Sequence, residues 1–275
     1  MPIRVLPPEI ACRIAAGEVI TRPADVVKEL IENAVDAIVE ARRLGHAAGS
    51  IEVEIAGGGL RTLRVADDGC GIPPDEVPLA FARHATSKVR SLDDLLEVRT
   101  LGFRGEALAS IAAVAEVTLS TATHRHPAGV VVTVREGAVV DRRRKGRTPG
   151  TSVTVRRLFH NVPARLKFLR APHVESALIG HTVRRYALAY PDIRMTLSVE
   201  GQPLFRSRGG PSIREALEDV YGAEVAARLR PLGPISVARV RLAGWIGPPE
   251  ISRPGKTHVT WLVNGRSAVP RGLVE

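Results

Sequence analysis

Apolar residues recur at helical spacing just downstream of Pro23, where Val27, Leu30, Ile31, Ala34 and Ile38 make one stripe. Proline suits the first helical position because its missing N–H needs no partner there, so the pattern predicts a helix opening at Pro23. Two stretches of alternation follow, 51–56 and 61–66, separated by Gly57-Gly58-Gly59. Alternation sends every second side chain to one face, and the pair predicts a β-hairpin. Asp67-Asp68-Gly69-Cys70-Gly71 ends its second strand. Residues 75–84 read as helical, Ser91 with Asp94 has the form of a capping box, and a loop around Gly102 and Gly105 feeds a helix over 106–114. Strands are predicted over 117–122, 130–135 and 151–158, then a long helix through much of 173–190. From about Asp192 the pattern restarts with a hairpin (195–199 and 204–208), a helix near 213–220 and strands near 236–246 and 257–263. Together these give an α+β architecture, a largely antiparallel sheet carrying helices on one face, with a domain boundary near residue 200.

Composition changes this picture little. Of 275 residues, 44% are hydrophobic and only 4% aromatic, so Val, Leu, Ile and Ala must fill the core. Two cysteines, Cys12 and Cys70, form neither a disulfide framework nor a metal set, which suits a reducing compartment. The opening residues lack the apolar core of a signal peptide, and no apolar run is long enough to span a bilayer. A cytoplasmic protein without membrane contact is expected.

Charge adds a candidate partner. A formal net charge of +10 favours polyanions, since neutralised phosphates release counterions. An arginine-rich genome gives the same balance. Arg142-Arg143-Arg144-Lys145-Gly146-Arg147 reads as a hairpin tip between strands, either solvated or set against a DNA backbone. No aromatic residues interleave with it, so any DNA contact is expected to be phosphate-led and non-specific. His124-Arg125-His126 has no acidic or cysteine partners and reads as a surface loop. Gly255-Lys256-Thr257 imitates the end of a P-loop, but Glu250 stands where the partner glycine should be.

Three segments carry candidate chemistry. Glu29, Asn33 and Asp36 share one face of the first helix, opposite its apolar stripe. By itself this is a solvated face. As a site, Asn33 offers a neutral oxygen to a magnesium ion completed by phosphates and water, and Glu29 offers a general base. The Asp67–Gly71 loop reads as a tight turn, or as a carboxylate placed to accept a hydrogen bond from an exocyclic amine such as that of adenine. Glycine-rich backbone from Gly102 into the helix at 106 reads as a capped loop, or as a phosphate cradle at a helix N-terminus with Arg104 adding charge.

In this order, Glu-x-x-x-Asn-x-x-Asp, Asp-x-Gly-x-Gly and a glycine lid are specific. The chain resembles the GHKL ATPase superfamily and, within it, the DNA mismatch repair MutL family. The closer resemblance rests on LPPEIACRIAAGEVITRPADVVKELIENAVDA, DDGCGI, ARHATSK, LGFRGEALASI, GTSVTVRRLF and WLVNGR, spread over nearly the whole chain.

The resemblance implies a Bergerat-type ATPase sandwich over 21–200, preceded by an arm at 1–20 and followed by an incomplete ribosomal-protein-like α/β transducer domain over 201–275. It implies ATP and Mg2+ as cofactors, with Glu29 as the catalytic base and Asn33 as the magnesium ligand. Asp36, Asp67, Gly71 and Thr151 would serve the nucleotide. Ala85, Thr86, Ser87 and Lys88, with Gly102, Phe103, Arg104, Gly105, Glu106, Ala107 and Leu108, would form the lid over the phosphates. Arg266 matches a position used near the family's DNA groove. The implied partners are a second copy of the chain on ATP binding, DNA, a mismatch-recognition protein and a downstream nuclease or helicase. Another GHKL ATPase, or a non-hydrolysing ATP-gated scaffold, are the alternatives.

Three departures qualify this. Asp36-Ala37-Ile38-Val39 replaces the usual Asp-Ala-Gly-Ala, and the stretch to Ser50 reads as an insertion. Asp68 replaces the usual Asn and is expected to point away from phosphates. The family's later Asn-Val-His-Pro-x-Lys lysine is not within these residues, so weak or absent hydrolysis is expected of the chain as it stands, and the chain reads as part of a longer protein.

Overall fold

A computed structural model of the chain describes residues 16, 17, 19–82, 85, 101, 105–238, 240–253 and 259–268. The first expected helix is present as α1, Pro23–Arg43. Asp25 fixes its start. One carboxylate oxygen accepts hydrogen bonds from the Thr21 amide (2.8 Å), the Thr21 hydroxyl (2.6 Å) and the Arg22 amide (3.0 Å). Arg42 and Arg43 in the last turn suit the negative end of the helix dipole.

Eight strands form one sheet: β1 (Ser50–Ala56), β2 (Thr62–Asp67), β3 (Glu116–Thr123), β4 (His126–Arg135), β5 (Ala138–Arg144), β6 (Gly150–Arg156), β7 (Arg194–Val199) and β8 (Gln202–Arg206). Their order is β5-β4-β3-β6-β2-β1-β7-β8. Every neighbouring pair is antiparallel except β1 with β7. Buried and exposed residues alternate along β1, so one face of the sheet is covered. The cover is α1 with α2 (Ala107–Val114) and α4 (Pro172–Ala189); the short α3 (Pro163–Leu166) precedes α4. The predicted stripe on α1 is buried throughout, against Leu63, Val65 and Val153 of the sheet and Ile179, Val183 and Tyr186 of α4. Burial of a stripe this size is the main force holding α1 to the sheet.

Beyond β8 come α5 (Ile213–Tyr221), α6 (Ala223–Arg228), a hairpin of β9 (Arg230–Val237) and β10 (Val240–Ile246), and a small pair, β11 (Trp261–Val263) with β12 (Arg266–Ala268). Among the described residues no helix is long and apolar enough to cross a membrane.

Several expectations change. Residues 75–84 do not form a helix where described; turns lead to a single 3-10 turn at Leu79–Phe81. Pro73, Pro74 and Pro78 remove donors and crowd the preceding turn. Arg142, Arg143 and Arg144 lie on β5 rather than on a hairpin tip. That strand is exposed at every residue, so it carries no alternation to betray it, and its charges are typical of a protected sheet edge. The stretch 236–246 holds the end of β9, the turn and β10, so the first strand of this hairpin begins earlier than expected, at Arg230. Finally, β8 falls beyond the division expected at residue 200, yet it pairs with β7, and its Phe205 joins the main core. The Ser91–Asp94 capping box lies outside the described residues.

Candidate functional site

One cleft of about 1400 Å³ opens between α1 and the ends of β2 and β6. It exceeds the ~300–1,000 Å³ usual for small-molecule sites. Glu29, Asn33, Asp36, Asp67, Gly71, Ala85, Gly105, Glu106, Ala107, Leu108, Thr151 and Arg266 all line it. Thr86, Ser87, Lys88, Gly102, Phe103 and Arg104 lie outside the described residues.

Strand register builds the floor. Asp67 of β2 sits opposite Thr151 of β6, and Thr151 sits opposite Thr121 of β3, so three polar residues stand in line at one end of the sheet. Asp67 Oδ1 accepts hydrogen bonds from the amides of Gly69 (2.9 Å) and Thr151 (3.2 Å). The Thr121 hydroxyl accepts from the Ile72 amide at 2.9 Å and lies 3.1 Å from both the Gly150 carbonyl and the Thr151 hydroxyl. Thr121 is fully buried and ties the loop after Asp67 to β6.

Glycine is required where the loop turns back. Gly71 has φ +71°, and a Cβ there would lie 1.9 Å from the Ala122 carbonyl oxygen. A Cβ on Gly69 would lie 2.7 Å from Ala37 of α1, and the Cys70 amide donates to the Ala37 carbonyl at 3.1 Å. The loop is thus clamped between α1 and β3. Such close backbone approach leaves no room for any side chain.

Burial pushes the Asp67 carboxyl up to about 7, against the opposing pull of the Gly69 and Thr151 amides and the nearby Arg147 charge. Although Asp67 keeps some accessible surface, the protein packed around it dominates its electrostatics. Asp68 does turn away from the cleft, as expected. Its Oδ1 accepts from the Gly49 and Ser50 amides, both at 2.9 Å, and holds the start of β1.

The helix wall is built from charge. Glu29, Asn33 and Asp36 face the cleft from successive turns of α1. Lys28 Nζ lies 2.9 Å from Glu29 Oε1 and 3.2 Å from Glu32 Oε1. Asp36 Oδ1 accepts a hydrogen bond from the Leu101 amide at 2.9 Å. The Leu101 carbonyl accepts from Arg266 Nη2 at 2.8 Å. Arg266 therefore stands in the cleft wall.

Thr121, Glu32 and Tyr186 carry no signal of their own in the sequence, and Arg147, read there only as the end of a basic run, lies near Asp67. Thr121 matters only through the register of β3 on β6, and Tyr186 only through the packing of α4 on α1. Neither pairing leaves a local signal. Among the described residues, no group of three or more His, Cys, Asp or Glu could hold a metal by itself.

A family model described as "Histidine kinase-, DNA gyrase B-, and HSP90-like ATPase" matches residues 18–158, which contain most of this cleft. The DNA mismatch repair protein MutL of Pelotomaculum thermopropionicum is 44% identical over 256 residues, covering 93% of this chain and 41% of its own length. MutL of Xanthomonas oryzae is 44% identical over 274 residues, 99% of this chain and 42% of that protein. The chain thus spans less than half the length of these relatives. Among solved structures, the Aquifex aeolicus MutL ATPase domain complexed with ADP is 32% identical, covers 74% of this chain and 70% of that one, and superposes with a TM-score of 0.57. The N-terminal domain of a DNA repair protein covers 96% of this chain and 80% of that one at 26% identity and a TM-score of 0.76. With helix wall, aspartate floor and glycine loop inside the matched region, the chain belongs to the MutL family of DNA mismatch repair proteins and has its GHKL ATPase fold.

Proposed function

We propose that the cleft binds ATP with magnesium and hydrolyses it, and that the closed, ATP-bound form drives dimerisation in mismatch repair. The observation that carries this is the common cleft: Asp67, fixed by two backbone amides, and Glu29 with Asn33 on α1 face the same space. Asp67 would accept the adenine amine, and Gly71 would let the base approach the backbone. Glu29 would take the proton of a water attacking the terminal phosphorus, as the bond to the β-phosphate oxygen breaks and ADP and phosphate form. Glu106 to Leu108 open α2, whose N-terminal amides would face the phosphates.

The donor set fits magnesium. A lone carboxamide at Asn33, without a carboxylate cage, suits a hard ion bound through substrate phosphates and water. When bound, the ion would neutralise phosphate charge.

Arg165 Nη1 donates to the Ile20 carbonyl at 2.7 Å, which would anchor an arm at residues 1–20 used in dimerisation. The exposed arginines of β5 are proposed as the phosphate-led DNA contact, and the cytoplasm, near the nucleoid, as the location. A mismatch-recognition protein and a downstream nuclease or helicase are the proposed partners. A domain division after β8, with a transducer domain beyond it, fits the sheet better than one at residue 200.

Equilibrium binding of a non-hydrolysable ATP analogue, with and without magnesium, tests this together with ATP turnover. Glu29→Ala should keep analogue affinity and lose turnover, roughly 10²–10⁴-fold for a general base. Asn33→Ala should lose magnesium-dependent binding. Tight binding with no turnover in the wild type would replace this reading with the non-hydrolysing scaffold, and unchanged affinity in Asn33→Ala would remove it from the metal shell.

A further inference from the structure

The base assigned above does not stand alone on its helix. Glu32, one turn along α1, is 4% exposed despite its charge. Its Oε1 accepts a hydrogen bond from the Tyr186 hydroxyl of α4, itself 1% exposed. The same oxygen lies 3.2 Å from Lys28 Nζ, and Lys28 Nζ lies 2.9 Å from Glu29 Oε1. A continuous chain of polar contacts therefore runs from the core, Tyr186 to Glu32 to Lys28, and ends on Glu29 in the cleft.

Helix chemistry alone does not account for the chain. A lysine four residues before a glutamate is the less favourable orientation for a helix ion pair. Burying a carboxylate is costly unless it is paired and hydrogen-bonded, and aliphatic residues of similar volume often serve stability as well. What the chain supplies is position. Burial, followed by Glu32, holds the Tyr186 hydroxyl far above its ordinary range, so it stays a neutral donor. Burial pulls the Lys28 ammonium down, but Glu29 and Glu32 outweigh this and raise it, so the cation persists. Glu29 has three rotatable side-chain bonds and 24% of its side chain exposed, so it needs an external restraint to hold one geometry. A misplacement of ~1 Å at a reacting group can cost roughly a hundredfold in rate.

We infer that Glu32 and Tyr186 are positioning residues for the hydrolytic step, acting through Lys28 to hold the Glu29 carboxylate in the cleft. This rests on the reading of Glu29 as the base.

The test is a set of steady-state constants for ATP with magnesium, alongside analogue affinity and melting temperature, for Lys28→Met, Lys28→Arg, Glu32→Gln, Tyr186→Phe and the double variant Lys28→Met/Glu32→Gln. Lys28→Met should lower kcat by roughly ten- to a hundredfold while KM stays within about twofold. Lys28→Arg should recover most of the loss. Glu32→Gln and Tyr186→Phe should lower kcat by roughly three- to tenfold. Glu32→Gln should add nothing in the Lys28→Met background, because residues acting in series are not additive.

Lower melting temperatures with unchanged kcat would make the chain purely structural and overturn the inference. So would an undiminished Glu32→Gln effect in the double variant, or a Lys28→Met variant that loses affinity at constant kcat. Tyr186→Phe removes only a hydroxyl, so it keeps the question decidable if a charge variant fails to fold. If the wild type turns over ATP, Glu29→Ala does not and the network variants behave normally, the inference falls alone. If Glu29→Ala turns over like the wild type, the base reading falls and takes the inference with it.

Discussion

The two walls of the cleft are built by different means. The sheet-end wall, Asp67 to Gly71 with Thr121 and Thr151, is held by backbone: amides grip Asp67, and glycines sit where no Cβ fits. The helix wall, Lys28 to Asp36, is held by side chains, with ion pairs and a buried tyrosine setting where charges point. On the proposed reading, the first arrangement suits recognition of a flat, unchanging base and the second suits groups that meet the phosphates.

The largest effect expected from breaking the comparison is at Gly71. Gly71→Ala forces a left-handed conformation, about 1–2 kcal/mol by itself, and drives a methyl into the Ala122 carbonyl. Thermal melts should show a loss well beyond that strain, and analogue binding should disappear with the loop. If the melt and affinity match the wild type, the floor is not held by backbone crowding.

Asp67→Asn comes next and separates recognition from stability. Its amide would face the adenine amine, donor against donor, which should weaken analogue binding by roughly a hundredfold, or ~2–3 kcal/mol. Stability should move the other way. The folded-state value of about 7 lies above the ordinary 3.8, so the folded protein holds this proton more tightly than the unfolded chain does. The stability tied to that proton is present at acidic pH and is lost as pH rises from about 4 towards 7. Asp67→Asn should therefore melt higher than the wild type at pH 8, with the gap closing as pH falls below 7. A lower melting temperature at pH 8 would mean that Asp67 is not held against its own desolvation.

Thr121→Val leaves the Ile72 amide without its acceptor and should cost about 1–3 kcal/mol in denaturant melts, with a smaller loss of affinity. Asp68→Ala gives the smallest expected effect, about 1 kcal/mol of stability from two amides partly open to water, and no change in nucleotide affinity. A binding defect in Asp68→Ala would place that carboxylate in the cleft and erase the contrast between the adjacent aspartates.

The helix wall was legible because a helix has one period: once Pro23 and the apolar stripe set its phase, Glu29, Asn33 and Asp36 had to share the opposite face. The Asp67–Gly71 loop was legible as a tight turn because two glycines follow a strand end, but the turn alone left open whether its carboxylate faces a ligand. Arg266 was not legible in this way. Its neighbours come from the pairing of β12 near Leu101, 165 residues away in sequence, and its partner is a backbone carbonyl that any residue at 101 would present. Likewise β5 escaped notice because an exposed edge strand buries no face and so needs no alternation.

By itself, the sequence determined the elements that bury one face, the residues that share that face's opposite side, and the glycines a tight loop requires, because these follow from local periodicity and sterics. Only the tertiary structure decided which strands became neighbours, and hence that Asp67, Thr151 and Thr121 stand in one row, that Tyr186 reaches Glu32, and that Arg266 joins the cleft. Those contacts depend on strand order and helix docking, which are set by how the whole core packs and leave no mark on any short stretch of chain.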